Sequence, residues 1–170
     1  IADGLYYDFD VDNAFTPEDM KKIEKEMTSI INKGEDFVRE VVSKEKALEL
    51  FKGNPYKIEL INELPENEPI SIYYLGEDFV DLCRGPHVEN TRKLQNYGFK
   101  VAKVNGAYWR GNEKNKMLQR IYVYAFKDKK ALADYLNMLE EAKKRDHRKI
   151  GREQELFFFD ETAPGMAYWL

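Results

Sequence analysis

Thr16 opens and Gly34 closes the most fully specified element in this chain, a helix written out from cap to stop. Thr16 supplies a hydroxyl cap, Pro17 takes the first helical position and Glu18 and Asp19 place acids in the first turn, where the exposed amide groups favour them. Met20, Ile23, Met27, Ile30 and Ile31 then form one apolar stripe, which must be buried against something else. Strands surround this helix. Residues 5–12 interleave aromatic and acidic side chains, and 36–42 read as a second strand. Ser43 caps a short helix holding Ala47, Leu48 and Phe51; Gly53, Asn54 and Pro55 break it, and residues 56–64 form another.

Residues 65–69 are a polar loop. Residues 70–75, a turn at Gly76 and Glu77, and residues 78–83 predict a hairpin. Residues 99–104, a turn at Asn105 and Gly106, and residues 121–126 predict further strands. The composition shifts after Phe126. Residues 128–155 read as one long helix with Ala131, Leu132, Tyr135, Leu136, Leu139 and Ala142 on a single face, and Gly151 weakens it without ending it. The opposite face carries the cationic run 143–149, ordinarily a solvated face though also suited to lie along RNA backbone. Hairpins together with helices make the fold class α+β. The aromatic tail, 157–170, reads as the lead into a further domain, and both ends of the chain read as cut from something longer.

Chemistry concentrates in one place. Asp81, Cys83, Arg84, Gly85, Pro86 and His87 bring the single cysteine, one of two histidines and a carboxylate into seven residues, with a Gly-Pro turn between thiol and imidazole. Only Cys83, His87 and His147 readily titrate near neutral pH. On an extended strand Asp81 and Cys83 point the same way. The plain alternatives are a buried small hydrophobe for Cys83, a hydrogen-bonded turn histidine for His87 and a solvated edge residue for Asp81. A C-x-x-x-H pair supplies two zinc ligands where a structural site needs four, so no metal site is expected. Tyr6 and Tyr7 point to opposite faces of their strand, which predicts one in the core and one at a cavity. Lys57 opens a helix, where a lone lysine is usually solvated. The stretch from Tyr108 to Lys116, with Trp109 and Arg110, mixes aromatics, glycines and cations. Such a mix stacks on a terminal nucleotide, or is simply a strand end with a buried tryptophan.

The totals exclude several classes. A net charge of −4 argues against coating nucleic acid by charge alone. One cysteine rules out an internal disulfide and fits a reducing cytosol. No apolar run approaches the roughly 20 residues of a membrane helix, and no signal peptide opens the chain.

Taken in order, Tyr-Tyr-Asp at 6–8, Tyr-Lys at 56–57, Asp-x-Cys-Arg-Gly-Pro-His at 81–87, Gly-Ala-Tyr-Trp-Arg-Gly at 106–111, Lys-Met-Leu-Gln-Arg-Ile-Tyr at 116–122 and Arg-Asp-His-Arg-Lys-Ile-Gly at 145–151 resemble the bacterial threonyl-tRNA synthetases. The resemblance covers nearly the whole chain. It implies the amino-terminal editing domain, similar to that of alanyl-tRNA synthetases: mainly antiparallel sheet flanked by helices. That domain occupies 1–127, followed by a linker helix, 128–157, and the approach to the catalytic core, 158–170.

The resemblance implies that this region hydrolyses serine wrongly esterified to threonine tRNA. The parent enzyme would join threonine to that tRNA with ATP. Carried over by motif, the pocket falls on Tyr7, Lys57, Asp81, Cys83 and His87. Lys57 and His87 would activate water and move protons, Cys83 and Tyr7 would wall out the threonine methyl, and Asp81 would bind the substrate amino group. Apart from the resemblance, the mix of aromatics and cations from Tyr108 to Lys116, Tyr108 and Arg110 foremost, suggests a hold on the acceptor end. No cofactor is expected here, since ATP, magnesium and zinc belong to the catalytic core. Expected partners are the tRNA acceptor end and, through that core, a second copy of the parent, all in the cytoplasm and away from membranes. The family pattern also carries H-x-x-x-H upstream of the Tyr-Tyr-Asp strand, where this chain opens. The expectation is therefore slow cleavage or none by the segment alone, with a non-catalytic module for the tRNA acceptor stem as the alternative.

Overall fold

A computed structural model describes all residues except 1–3, 67, 78, 147–149, 152, 160, 163–165 and 170. His147, Arg148 and Lys149 of the cationic run, and Ala163, Pro164 and Gly165 of the tail, lie outside the described residues. The elements in chain order are β1 (Gly4–Phe9), α1 (Pro17–Lys33), β2 (Phe37–Val42), α2 (Lys44–Leu50), α3 (Pro55–Glu63), β3 (Ile70–Leu75), β4 (Phe79–Leu82), β5 (Gly98–Tyr108), β6 (Met117–Phe126), α4 (Lys129–Lys144), β7 (Phe157–Phe159) and β8 (Ala167–Trp169). All strand pairings are antiparallel, in three-stranded sheets ordered β1-β6-β5 and β2-β3-β4 and a small β7-β8 pair. The fold is α+β.

The chain divides into two units: Ile1–Ala14 with Tyr97–Leu170, and Phe15–Asn96. In the second unit α1 starts and stops where its sequence dictates. Thr16 accepts the Asp19 amide at 3.2 Å, the Asp19 carboxylate takes the Thr16 amide in return at 3.0 Å, and Gly34 ends the helix in the left-handed region at φ 77°. Ser43, Asn54 and Pro55 do the same for α2 and α3. Val42, Ala47, Phe51, Ile61, Ile70 and Ile72 form the core between these short helices and one face of β2-β3-β4. Ile61 and Ile72 are fully enclosed, each contributing about 1.5–3 kcal/mol of burial. Thr91 is buried too, with its hydroxyl taking the Glu35 amide at 3.0 Å and lying 3.1 Å from the Ile30 carbonyl. That contact ties the segment after His87 to the end of α1.

In the first unit, Arg120 on β6 grips Asp8 on β1 through two hydrogen bonds of 2.7 and 2.8 Å, with the guanidinium 4.0 Å above the Tyr6 ring. The Asp8 carboxylate pushes the arginine pKa still further up. Tyr6 and Tyr7 are 48% and 42% exposed, so neither enters the core as alternation had predicted. β1 is an edge strand, and Tyr6 serves as a platform for a cation instead.

The turn predicted at Asn105 and Gly106 is also corrected. β5 runs through both and pairs as far as Tyr108 with Met117. A Cβ on Gly106 would meet only the Met117 side chain, its sulfur 2.8 Å away, and that flexible, exposed side chain has room to move. The real reversal lies at residues 109–116.

The long helix predicted over 128–155 is α4, capped by Asp128 and closed at Arg145. Helical backbone resumes at Ile150 and Gly151, with the Ile150 amide donating to the Asp146 carbonyl at 3.0 Å.

Candidate active site

Local structure places each candidate group of the second unit. Asn54 accepts the Lys57 amide at 3.1 Å and so sets the first turn of α3. From that turn Lys57 extends its ammonium to the Asp81 carboxylate on β4, and the two side chains are 20% and 19% exposed. The same carboxylate takes the Leu82 amide at 2.7 Å. Asp81 faces Tyr73 across the β3-β4 ladder.

Cys83 follows β4 directly and is held at both ends of its peptide. Its amide donates to the Ser71 carbonyl at 3.2 Å, and its carbonyl accepts the Ser71 hydroxyl at 2.6 Å. The chain then reverses at Gly85, where φ is +73° and the bond to Pro86 is cis. This reversal brings His87 Nε2 to 3.2 Å from Cys83 Sγ, and the Gly85 amide donates to the same sulfur at 3.3 Å. The His87 ring lies between Phe37, stacked at 5.1 Å, and Tyr73, edge-on at 4.4 Å. One side of the imidazole remains open to solvent.

The result is two coupled pairs, an ammonium with a carboxylate and a thiol with an imidazole. Together they can hold a cationic amine, accept a proton and present hydrogen-bond donors. A cavity of about 150 Å³ adjoins Cys83, with Leu64, Ile70, Ser71, Leu82 and Arg84 in its lining. Lys57, Asp81 and His87 are not part of that lining, so the hollow predicted for thiol, imidazole and acid together is not this cavity. Arg84 reaches across to Glu68 at 2.8 Å.

Tyr7, Tyr108 and Arg110 belong to the other unit. Tyr7 packs its ring 5.2 Å from that of Phe9. Tyr108 ends β5 and is 39% exposed, while Arg110 sits at φ +56° with its guanidinium 5.7 Å from the Trp109 ring. Trp109 and Lys116 close the reversal through a backbone bond of 3.0 Å.

Sequence reasoning missed Ser71, Phe37 and Tyr73, the residues that fix the thiol and the imidazole. The available signal was strand alternation, which puts Ser71 and Tyr73 on one face of β3. Among the described residues no three His, Cys, Asp or Glu side chains gather as metal ligands. No described helix is long and apolar enough to cross a membrane.

Residues 70–122 match the family described as the threonyl and alanyl tRNA synthetase second additional domain. Over 99% of its length the chain is 54% identical to a threonine–tRNA ligase of Carboxydothermus hydrogenoformans and 53% identical to that of Bartonella bacilliformis. The corresponding ligase of Staphylococcus epidermidis is 53% identical over the full chain. In each case the chain spans 26% of the relative, about a quarter of its length. The matched motifs and this α+β architecture agree: the chain belongs to the threonyl-tRNA synthetase family, as a segment that carries the second additional domain.

Proposed function

We propose that this segment is the editing site of a cytoplasmic threonine–tRNA ligase, which joins threonine to its tRNA with ATP, and that it hydrolyses the ester when serine has been attached instead. The need follows from size. A synthetic site built for threonine rejects serine only by the loss of one methyl, worth about 1–3 kcal/mol. A second, hydrolytic site that admits the smaller side chain makes up the difference.

The observation that carries this reading is the Cys83–His87 contact at 3.2 Å beside the Lys57–Asp81 ion pair. His87 takes the proton from the attacking water. Asp81 holds the seryl amino group, sharing its carboxylate with Lys57. Lys57, paired with Asp81, brings positive charge to the developing oxyanion. Cys83, fixed by Ser71, forms the wall against the extra methyl. In the other unit, exposed Tyr108 and the Arg110–Trp109 stack suit the bases and phosphates of the acceptor end.

The test uses the full-length ligase. His87→Ala should raise net serylation of threonine tRNA, with deacylation of seryl-tRNA slowed about 100-fold, while threonylation is unchanged. Equal loss of both activities would make His87 structural and refute the reading.

A further inference from the structure

We propose that the hydroxyl of Tyr73 is a further catalytic group of this centre and donates a hydrogen bond to the ester carbonyl oxygen as that oxygen becomes negative; this rests on the hydrolytic reading above. Tyr73 sits on β3 opposite Asp81 and only 8% of it is exposed. Its ring meets the edge of His87 at 4.4 Å. Tyr73 therefore stands across the ladder from the acid and touches the imidazole.

The hydroxyl ends at the turn between thiol and imidazole. A Cβ built on Gly85 would stand 2.1 Å from Tyr73 Oη. The amide of that same Gly85 donates to Cys83 Sγ at 3.3 Å. Phenol, thiol and imidazole thus surround a single residue. Among the described residues no hydrogen bond engages the phenol, and its oxygen is not sealed from solvent. A phenylalanine would fill the same space without leaving a polar atom unmatched, and a tyrosine this buried ordinarily finds a partner for its hydroxyl. Here that partner is solvent until an ester is bound.

The step balances without any added reagent. Water oxygen bonds to the ester carbonyl carbon, its proton passes to His87, and the carbonyl oxygen takes up negative charge within reach of the phenol. On collapse the bond from that carbon to the ribose oxygen breaks, and His87 returns the proton to the leaving ribose oxygen. Tyr73 keeps its own proton throughout and contributes a hydrogen bond that strengthens as charge develops.

The experiment compares wild type with Tyr73→Phe in the full-length ligase by single-turnover cleavage of seryl-tRNA. The expected result is a maximal rate reduced about 10–100-fold, with the same half-saturating enzyme concentration and the same melting temperature. A wild-type rate in Tyr73→Phe would overturn the assignment while leaving the hydrolytic reading intact. A wild-type enzyme that does not cleave seryl-tRNA would remove both. Should Tyr73→Phe fail to fold, 3-fluorotyrosine incorporated at position 73 keeps the shape with a more acidic phenol. The rate should then fall away at lower alkaline pH than in wild type, and an unmoved pH profile would refute the proposal.

Discussion

The imidazole of His87 lies flat against the ring of Phe37, with centroids 5.1 Å apart and planes within 5° of parallel. Phe37 opens β2, and its amide is tied to the Glu89 carbonyl at 2.9 Å, so the stack is anchored two residues beyond the histidine. Phe37→Ala should release the ring from its orientation toward Cys83. We expect deacylation about 10-fold slower and stability lower by roughly 1–3 kcal/mol for a half-buried aromatic. Urea unfolding and single-turnover cleavage measure the two effects separately. Lost stability with a normal rate would mean that the stack serves the sheet and not the imidazole.

Lys57 and Asp81 are each about four-fifths buried, which sets their pairing between a surface contact and a sealed one. Lys57→Met and Asp81→Asn should each destabilise by roughly 1–3 kcal/mol. The double variant should fall short of their sum by about 1 kcal/mol or more. Strict additivity in denaturant titrations would show that the two side chains act independently.

Gly85 has a left-handed backbone at φ +73° and leaves no room for a side chain beside Tyr73. Gly85→Ala should cost roughly 2–4 kcal/mol, from conformational strain and from the collision together. Adding Tyr73→Phe removes the closest contact but leaves the ring carbon Cζ at 2.8 Å, so it should restore only part of the loss. Thermal unfolding of the single and double variants decides this, and full restoration would mean that backbone strain at Gly85 is negligible.

Asp19 accepts both the amide and the hydroxyl of Thr16, and the backbone bond above all holds its carboxyl below the ordinary range. A carboxyl with a lower pKa folded than unfolded stabilises the fold fully above its unfolded value, about 4. That contribution disappears as pH falls through the folded value. Asp19→Asn should therefore melt below wild type at pH 7, with the gap closing in stronger acid. A gap of constant size from neutral pH to pH 3 would contradict the capping account.

The helices and their limits were readable because the signals are local: Thr16 and Gly34 bracket α1, Ser43 and Asn54 open α2 and α3, and each cap forms as written. The thiol and imidazole were readable for the same reason, being joined by a short turn. Register was not. A hairpin closed by Gly76 and Glu77 alone would place Asp81 opposite Ile72. The structure pairs Leu75 with Phe79, which sets Asp81 opposite Tyr73. One residue of slip exchanges the two faces of a strand, and this is why Tyr73 went unnoticed beside the acid. Pairing between β1 and β6 depends on partners far apart in sequence, so the Asp8–Arg120 grip left no local trace. The exposure of Tyr6 and Tyr7 follows from β1 lying at a sheet edge, which alternation within one strand does not reveal.

Asp8 meets Arg120 only after more than a hundred intervening residues have been made. During synthesis from the amino terminus β1 must therefore wait for β6 while the inserted unit emerges with nearly all the partners it needs. That order gives a ribosome-bound chain a natural sequence of assembly: the unit bearing Cys83 and His87 closes early, and the sheet that contains β1 is completed after it.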